Sequence, residues 1–145
     1  MLLNKTVFHL VVAIKLGMVY PVWADTFTLE QLRWQSRALV VCALQERNLT
    51  RLAAKFNQQE LEKRRLRIFA NSYFGVFELN TDHMQSSHLE FQLCDDMPES
   101  TAHLIGLDGT IKASYRFENL NENTIYRDID AMPMRQLELS RLKAR

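Results

Sequence analysis

The sequence has little of the residues that mark specialised chains, with two cysteines, three prolines and four glycines in 145 residues. So little glycine and proline excludes a collagen-like chain, and 47% hydrophobic content excludes a disordered one. The sequence also contains no internal repeat and no low-complexity tract. The composition therefore predicts one globular domain.

An excess of charge of one sign is also missing. The formal net charge is +1, and without the first 24 residues 16 basic side chains face 17 acidic ones. A nucleic-acid-binding domain usually carries a clear basic excess. We therefore predict no nucleic acid partner.

Long apolar runs are confined to the N-terminus, where residues 6–20 are broken only by a few polar side chains such as His9 and Lys15. Pro21 ends any helix, and residues 22–24 provide small side chains at the positions that a signal peptidase recognises. This layout is typical of a secretory signal, so we expect cleavage after Ala24 and an exported protein, periplasmic or secreted, whose single domain is 25–145. The alternative is an anchor or buried helix, although two polar residues in the run argue against a permanent membrane span.

The only cysteines, Cys42 and Cys94, both follow this leader. An even number in an exported protein allows a disulfide. Cys42, however, lies in the apolar run 38–44, where a buried cysteine behaves as a small hydrophobe. Since bridge geometry is also demanding, we favour two unpaired thiols and keep the disulfide as the alternative.

The apolar run 38–44 is continuous rather than alternating, which predicts a strand covered on both faces. Apolar residues then recur at helical spacing, with an interruption at 57–59, before a second strand at 66–70. The segment 71–82 fits an extended strand, a bend or a loop equally well, and 84–94 has a weak helical pattern.

The C-terminal third is clearer. Residues 102–115 predict a hairpin with a two-residue Asp108-Gly109 turn. Asn121 is a natural helix cap, and Pro133 ends the helix that follows. Strand, helix, strand, helix, hairpin, helix is the order of the thioredoxin-like fold. We therefore predict an α/β three-layer sandwich, with a mixed sheet of about four strands and helices on both faces.

Two pairs of residues are candidates for binding. Asp130 and Arg135 could hold a carboxylated or phosphorylated ligand, although a local ion pair around Pro133 is the favoured interpretation. Arg33 and Trp34 could form a cation–π contact or pack over the end of the sheet, and we favour a structural role for them as well.

Residue patterns for catalysis and metal binding are missing. A thioredoxin needs a low-pKa thiolate at the start of the helix after the first strand, but residues 45–49 contain no cysteine. Asp82, His83, His88 and Cys94 match no compact zinc spacing. We predict no catalytic residue, no metal and no cofactor.

Three segments carry a family resemblance: Leu32-Arg33-Trp34-Gln35, Leu107-Asp108-Gly109 and, most specific of all, Ile129-Asp130-Ala131-Met132-Pro133-Met134-Arg135-Gln136. With them the chain resembles the bacterial domain-of-unknown-function 4174 family, which is related to the DUDES domains of vertebrate secreted sushi-repeat and coiled-coil-domain proteins. The resemblance implies a thioredoxin-like fold and export. It implies no catalytic mechanism.

These observations favour a non-catalytic module of the cell envelope that binds another protein or an envelope component. The rival hypothesis is a thiol-dependent redox protein that uses Cys42 and Cys94 as a distant pair.

Overall fold

The computed structural model describes residues 27–73, 75–79, 84–87, 89–90, 92–95 and 100–144. The predicted leader, 1–24, lies outside these residues, as do Asp82, His83 and His88. The strands are β1 (Phe27–Thr28), β2 (Arg37–Cys42), β3 (Leu66–Ser72), β4 (Gly75–Leu79), β5 (Met84–Ser87), β6 (Leu89–Glu90), β7 (Thr101–Ile105) and β8 (Ile111–Arg116). The helices are α1 (Leu29–Leu32), α2 (Leu49–Ala53), α3 (Gln58–Lys63), α4 (Glu122–Asp130) and α5 (Pro133–Lys143), with 3₁₀ turns at Glu46–Asn48, Gln92–Cys94 and Phe117–Asn119.

Six strands form one mixed sheet in the order β5-β4-β3-β2-β7-β8. The neighbours β2 and β3 are parallel, whereas all other neighbours in this sheet are antiparallel. β1 and β6 form a separate parallel pair. The predicted mixed α/β architecture is confirmed. The predicted number of strands, about four, was too low because β4 and β5 extend the sheet beyond β3.

The central strand β2 is buried along its whole length, which confirms the prediction of a strand covered on both faces. Alternate side chains of a strand point to opposite faces. Leu39 and Val41 belong to a core that includes apolar residues of α2, α3 and α4. Val40 and Cys42 belong to a smaller core on the other face, where Leu32 of α1 packs. The larger core therefore lies under the three helices.

The first long helix is interrupted, as predicted, but the break lies at 54–57 rather than at 57–59. α2 ends at Ala53, and Asn57 then caps α3 by accepting hydrogen bonds from the backbone N–H groups of Gln59 and Glu60. An asparagine side chain satisfies N–H groups that have no partner within the helix. The chain therefore turns between two short helices here.

The weak helical pattern at 84–94 gave the wrong prediction. The backbone forms β5 and β6, followed by a 3₁₀ turn at Gln92–Cys94. β5 pairs with β4, with Met84 opposite Leu79. Hydrogen bonding to a neighbouring strand determined the conformation here, because intrinsic propensity is a weak preference that tertiary context overrides.

The hairpin between β7 and β8 is confirmed, but the prediction of a two-residue turn is wrong. The N–H of Gly109 donates to the carbonyl of Gly106 at 3.0 Å, so Leu107 and Asp108 are the central turn residues. Gly109 follows with a φ of +78°, in the left-handed region that favours glycine. The connection therefore spans residues 106–110, a longer loop built around a β-turn.

Candidate functional site

Asp130 and Arg135 lie at the junction of the last two helices. α4 ends at Asp130, and Pro133 is the first residue of α5, a position where its missing N–H costs no hydrogen bond. Asp130 accepts from Nε of Arg135 at 3.2 Å and from Nη2 of Arg64 at 2.6 Å. The structure therefore places this candidate binding pair in an ion pair within the fold.

Glu138 of α5 extends this ion pair into a network. Its carboxylate accepts hydrogen bonds from Arg37 at 3.3 Å and from Arg135 at 3.1 Å, and Arg65 donates to it as well. Arg37, the first residue of β2, is fully buried, and Arg135 is 6% exposed. Nη1 of Arg37 also donates to the carbonyl of Arg64 at 2.7 Å. We call Arg37, Arg64, Arg65, Arg135, Asp130 and Glu138 the arginine network.

The pKa values of the network follow from burial and pairing. Burial lowers the pKa of Arg37, and its hydrogen bond with Glu138 opposes that shift. Burial also disfavours the ionised form of Glu138, but hydrogen bonds from Arg65, Arg135 and Arg37 outweigh it and hold the pKa below its ordinary value. Glu138 is therefore ionised at neutral pH and is the central acceptor of the network.

Arg33 and Trp34 lie against the loop between β7 and β8. The guanidinium carbon of Arg33 is 5.6 Å from the centroid of the Trp34 ring, so the predicted cation–π contact is present. The backbone N–H of Trp34 donates to the carbonyl of Leu107 at 2.7 Å, and the Arg33 side chain passes close to Gly109. Among the described residues, no hydrogen bond or ion pair connects these two side chains with Asp130 or Arg135. The two candidate pairs do not form one site.

Cys42 and Cys94 are joined by a disulfide, contrary to the two unpaired thiols that the sequence favoured. Their Cα atoms are 5.2 Å apart, although 52 residues separate them in the chain. Cys42 is fully buried in the smaller core, and Leu93 and Cys94 pack against that core. The prediction failed because burial of Cys42 in a strand does not prevent a second segment from packing directly onto it.

A large cleft lies at the carboxyl end of β2, directly after Cys42. It has a volume of about 820 Å³ and is lined by Ala43, Gln45, Arg47, Asn48, Arg51, Lys55, Ser100, Arg116, Phe117 and Glu118. Four of these side chains are cationic, and Glu118 is the single carboxylate among them. We call this feature the basic cleft.

The walls of the basic cleft are fixed by contacts between distant segments. Oγ of Ser100 donates to the carbonyl of Ala43 at 2.7 Å, and the N–H of Phe117 donates to the carbonyl of Ser100 at 2.9 Å. Nζ of Lys55 donates to the carbonyl of Leu120 at 2.8 Å and lies 5.9 Å from the centroid of the Phe117 ring. Three stretches of chain that are far apart in sequence therefore meet around one cleft.

The sequence analysis did not identify the basic cleft. The spacing of four between Arg47, Arg51 and Lys55 could have indicated a shared helical face. No pattern in the sequence connects those residues with Arg116, because the sheet brings β8 to them. Residues 60–67 form another charged stretch, but its side chains pair within the protein. Glu60, for example, contacts Lys63 and Arg64, both at 2.6 Å.

In the part of the chain that the structure describes, no cluster of three histidine, cysteine, aspartate or glutamate side chains could hold a metal ion. His103 is 6% exposed, and its Nδ1 lies 2.8 Å from Oγ of Ser114. Burial lowers the pKa of His103, so its ring is neutral at pH 7. None of the described helices combines the length and the apolar character that a membrane span requires.

Comparison with known proteins gives one finding. No curated protein and no solved structure matches the chain. The model of one family, described as a domain of unknown function (DUF4174), matches residues 28–138, which include β2, the basic cleft and the arginine network. The chain therefore belongs to the DUF4174 family.

Proposed function

We propose that this protein is an exported thioredoxin-like module that binds a protein or an envelope component and does not catalyse thiol–disulfide exchange. The observation that carries the proposal is the segment after β2. Where thioredoxin chemistry requires a reactive cysteine, this chain has Gln45 and Asn48 in the wall of an open basic cleft.

The connections of the sheet support the thioredoxin-like part of the proposal. β2 runs through α2 and α3 into the parallel strand β3, and β7 and β8 form the antiparallel hairpin expected to close such a domain. α4 then packs on the larger core. One departure from the predicted order is that β4, β5 and β6 replace the helix expected between β3 and β7.

The burial of Cys42 supports the non-catalytic part. Cys42 is fully buried, and Cys94, in the 3₁₀ turn packed on the same core, is partly buried. An attacking thiolate needs access to a sulfur atom, and a buried thiolate product is disfavoured by desolvation. Both effects slow exchange in the folded protein.

Alkylation followed by mass spectrometry tests this proposal on the folded protein, with and without a mild dithiol reductant. We expect neither cysteine to be labelled until the protein is unfolded, and no transfer of electrons to a disulfide substrate above the level of the Cys42→Ala/Cys94→Ala variant. N-terminal sequencing of protein recovered from the envelope fraction tests export, with a first residue of Asp25 expected.

The second candidate function is a thiol-dependent redox protein, and the Cys42–Cys94 disulfide is the observation that favours it. In that case a dithiol substrate would pass two electrons and two protons to the disulfide, leaving two thiols here and a disulfide in the substrate. Labelling of both cysteines in the folded protein after mild reduction, with re-formation of the bond in repeated cycles, would establish this candidate and exclude the first.

A further inference from the structure

In the basic cleft, unlike in the arginine network, the arginines have no acidic partner among the residues that the structure describes. Arg47, Arg51 and Arg116 are exposed, and among the described residues no carboxylate lies within ion-pair distance of them. Lys55 is held by its hydrogen bond to Leu120, and Glu118 is the single acid among the described residues of the lining. Three guanidinium groups are therefore available to a ligand.

These cations approach the cleft from two walls. Arg47, in the 3₁₀ turn at Glu46–Asn48, and Arg51, in α2, are four residues apart on one wall. Arg116, the last residue of β8, belongs to the other wall. A guanidinium group presents a planar set of donors that matches phosphate and carboxylate oxygens in pairs. A ligand that contacts both walls therefore needs at least two anionic groups.

The remaining lining is polar and suits a hydrophilic ligand. Gln45 and Asn48 carry side-chain amides that can donate hydrogen bonds, and Phe117 is the aromatic residue of the lining. A volume of about 820 Å³ lies within the range of pockets that bind small molecules, roughly 300–1,000 Å³.

From this arrangement we propose that the basic cleft binds a small ligand carrying two or more phosphate or carboxylate groups. The inference rests on the proposed binding function and names the chemical class of the ligand. Arg47 and Arg51 hold one anionic group, Arg116 holds the other, and the amides of Gln45 and Asn48 contact the polar atoms between them.

Isothermal titration of the protein recovered from the envelope fraction with pyrophosphate and with citrate tests the inference, at about 10 mM salt so that screening is small. Inorganic phosphate and a hexaglutamate peptide serve as comparison ligands. The variants are Arg51→Gln, Arg116→Gln and their combination. The matched control is Arg127→Gln, because Arg127 is an exposed arginine of α4 outside the cleft.

We expect pyrophosphate or citrate to bind more tightly than inorganic phosphate, and each single variant to weaken that binding about tenfold, the effect of one charge-assisted hydrogen bond. Arg127→Gln should bind like the wild type. Absence of binding by both polyanions, or equal weakening by Arg127→Gln, would overturn the inference. Tighter binding of hexaglutamate would also overturn it, since the cleft would then bind an acidic protein segment.

The redox measurement on the same preparation separates this inference from the proposed function. If the cysteines do not react and neither polyanion binds, the proposed function stands and only the ligand class is excluded. Cycling cysteines would instead remove the proposed function, whatever the titration gives.

Discussion

The arginines near the two ends of β2 differ in burial and in pairing with acidic side chains. At the amino end, Arg37 and Arg135 are buried, and Glu138 accepts hydrogen bonds from both. At the carboxyl end, Arg47 and Arg51 are exposed in an open cleft and have no acidic partner in the described part of the chain. Because a buried charge requires a partner and an exposed charge does not, the first group stabilises the fold and the second is free to bind.

The carboxyl end of β2 is held in a different way, by the covalent bond between Cys42 and Cys94. Together with the hydrogen bond from Ser100 to Ala43, this bond positions the cleft without using its arginines. The stabilising interactions therefore lie near one end of β2 and the proposed binding groups near the other, and this difference leads to five predictions.

The largest effect should come from removing the disulfide. Closing a loop across 52 residues reduces the entropy of the unfolded chain, and the chain-entropy model gives about 4 kcal/mol for a loop of this length. Urea unfolding of Cys42→Ala/Cys94→Ala should show this loss relative to the oxidised wild type. A loss below about 1 kcal/mol would mean that the bond has little structural role and would favour the redox candidate.

Glu138→Ala should lower the free energy of unfolding by about 3 kcal/mol, because it leaves the buried Arg37 and Arg135 without their shared acceptor. Glu138→Gln, which keeps one hydrogen-bond acceptor, should cost less. Glu118→Ala in the cleft is the matched control, and we expect a change within about 0.5 kcal/mol for it. Equal losses at the two positions would contradict the contrast between the two ends of β2.

Lowering the pH should weaken the interactions of Glu138 at the amino end of β2. The pKa of Glu138 lies below its ordinary value of 4.5 in the folded protein, so its contribution to stability is complete above that pH. The contribution is lost as the pH falls through the lower folded pKa. Urea unfolding between about pH 6 and pH 3 should show a steeper decline for the wild type than for Glu138→Ala. Parallel declines would exclude Glu138 as a source of acid sensitivity.

Asp130→Ala should lower the free energy of unfolding by about 1–2 kcal/mol, because Arg64 and Arg135 lose an acceptor that is partly screened by solvent. Thermal unfolding measures this loss, and Asp130→Asn serves as the control that keeps the shape of the side chain. Unchanged thermal stability together with a large loss of ligand or partner binding would instead make Asp130 a binding residue.

Arg51→Gln should have the smallest effect on stability, within about 0.5 kcal/mol of the wild type, because its side chain is exposed and unpaired among the described residues. The same variant is expected to weaken polyanion binding. Urea unfolding and titration of one sample therefore measure both effects. A large loss of stability in this variant would show that the arginine supports the fold.

Local patterns predicted several elements correctly. The continuous apolar run of β2 predicted its burial, and Asn121 caps α4 by accepting from the N–H of Asn123, as expected. Pro133 separates α4 from α5. These predictions rest on backbone sterics and on side chains that act within a few residues, so the sequence alone contains the necessary information.

Other features depend on contacts between distant residues. The segment 84–87 became a strand because β4 offered it hydrogen-bonding partners. Its weak helical pattern gave no indication of that partner.

The sequence by itself therefore determined the central strand and the helix boundaries at Asn121 and Pro133. The tertiary structure decided that Arg37 reaches Glu138 across 101 residues, that Cys42 meets Cys94, and that Arg116 lines the same cleft as Arg47 and Arg51. The physical reason is that pairing of charges and sulfur atoms depends on distance in space, which the packing of the sheet and helices sets.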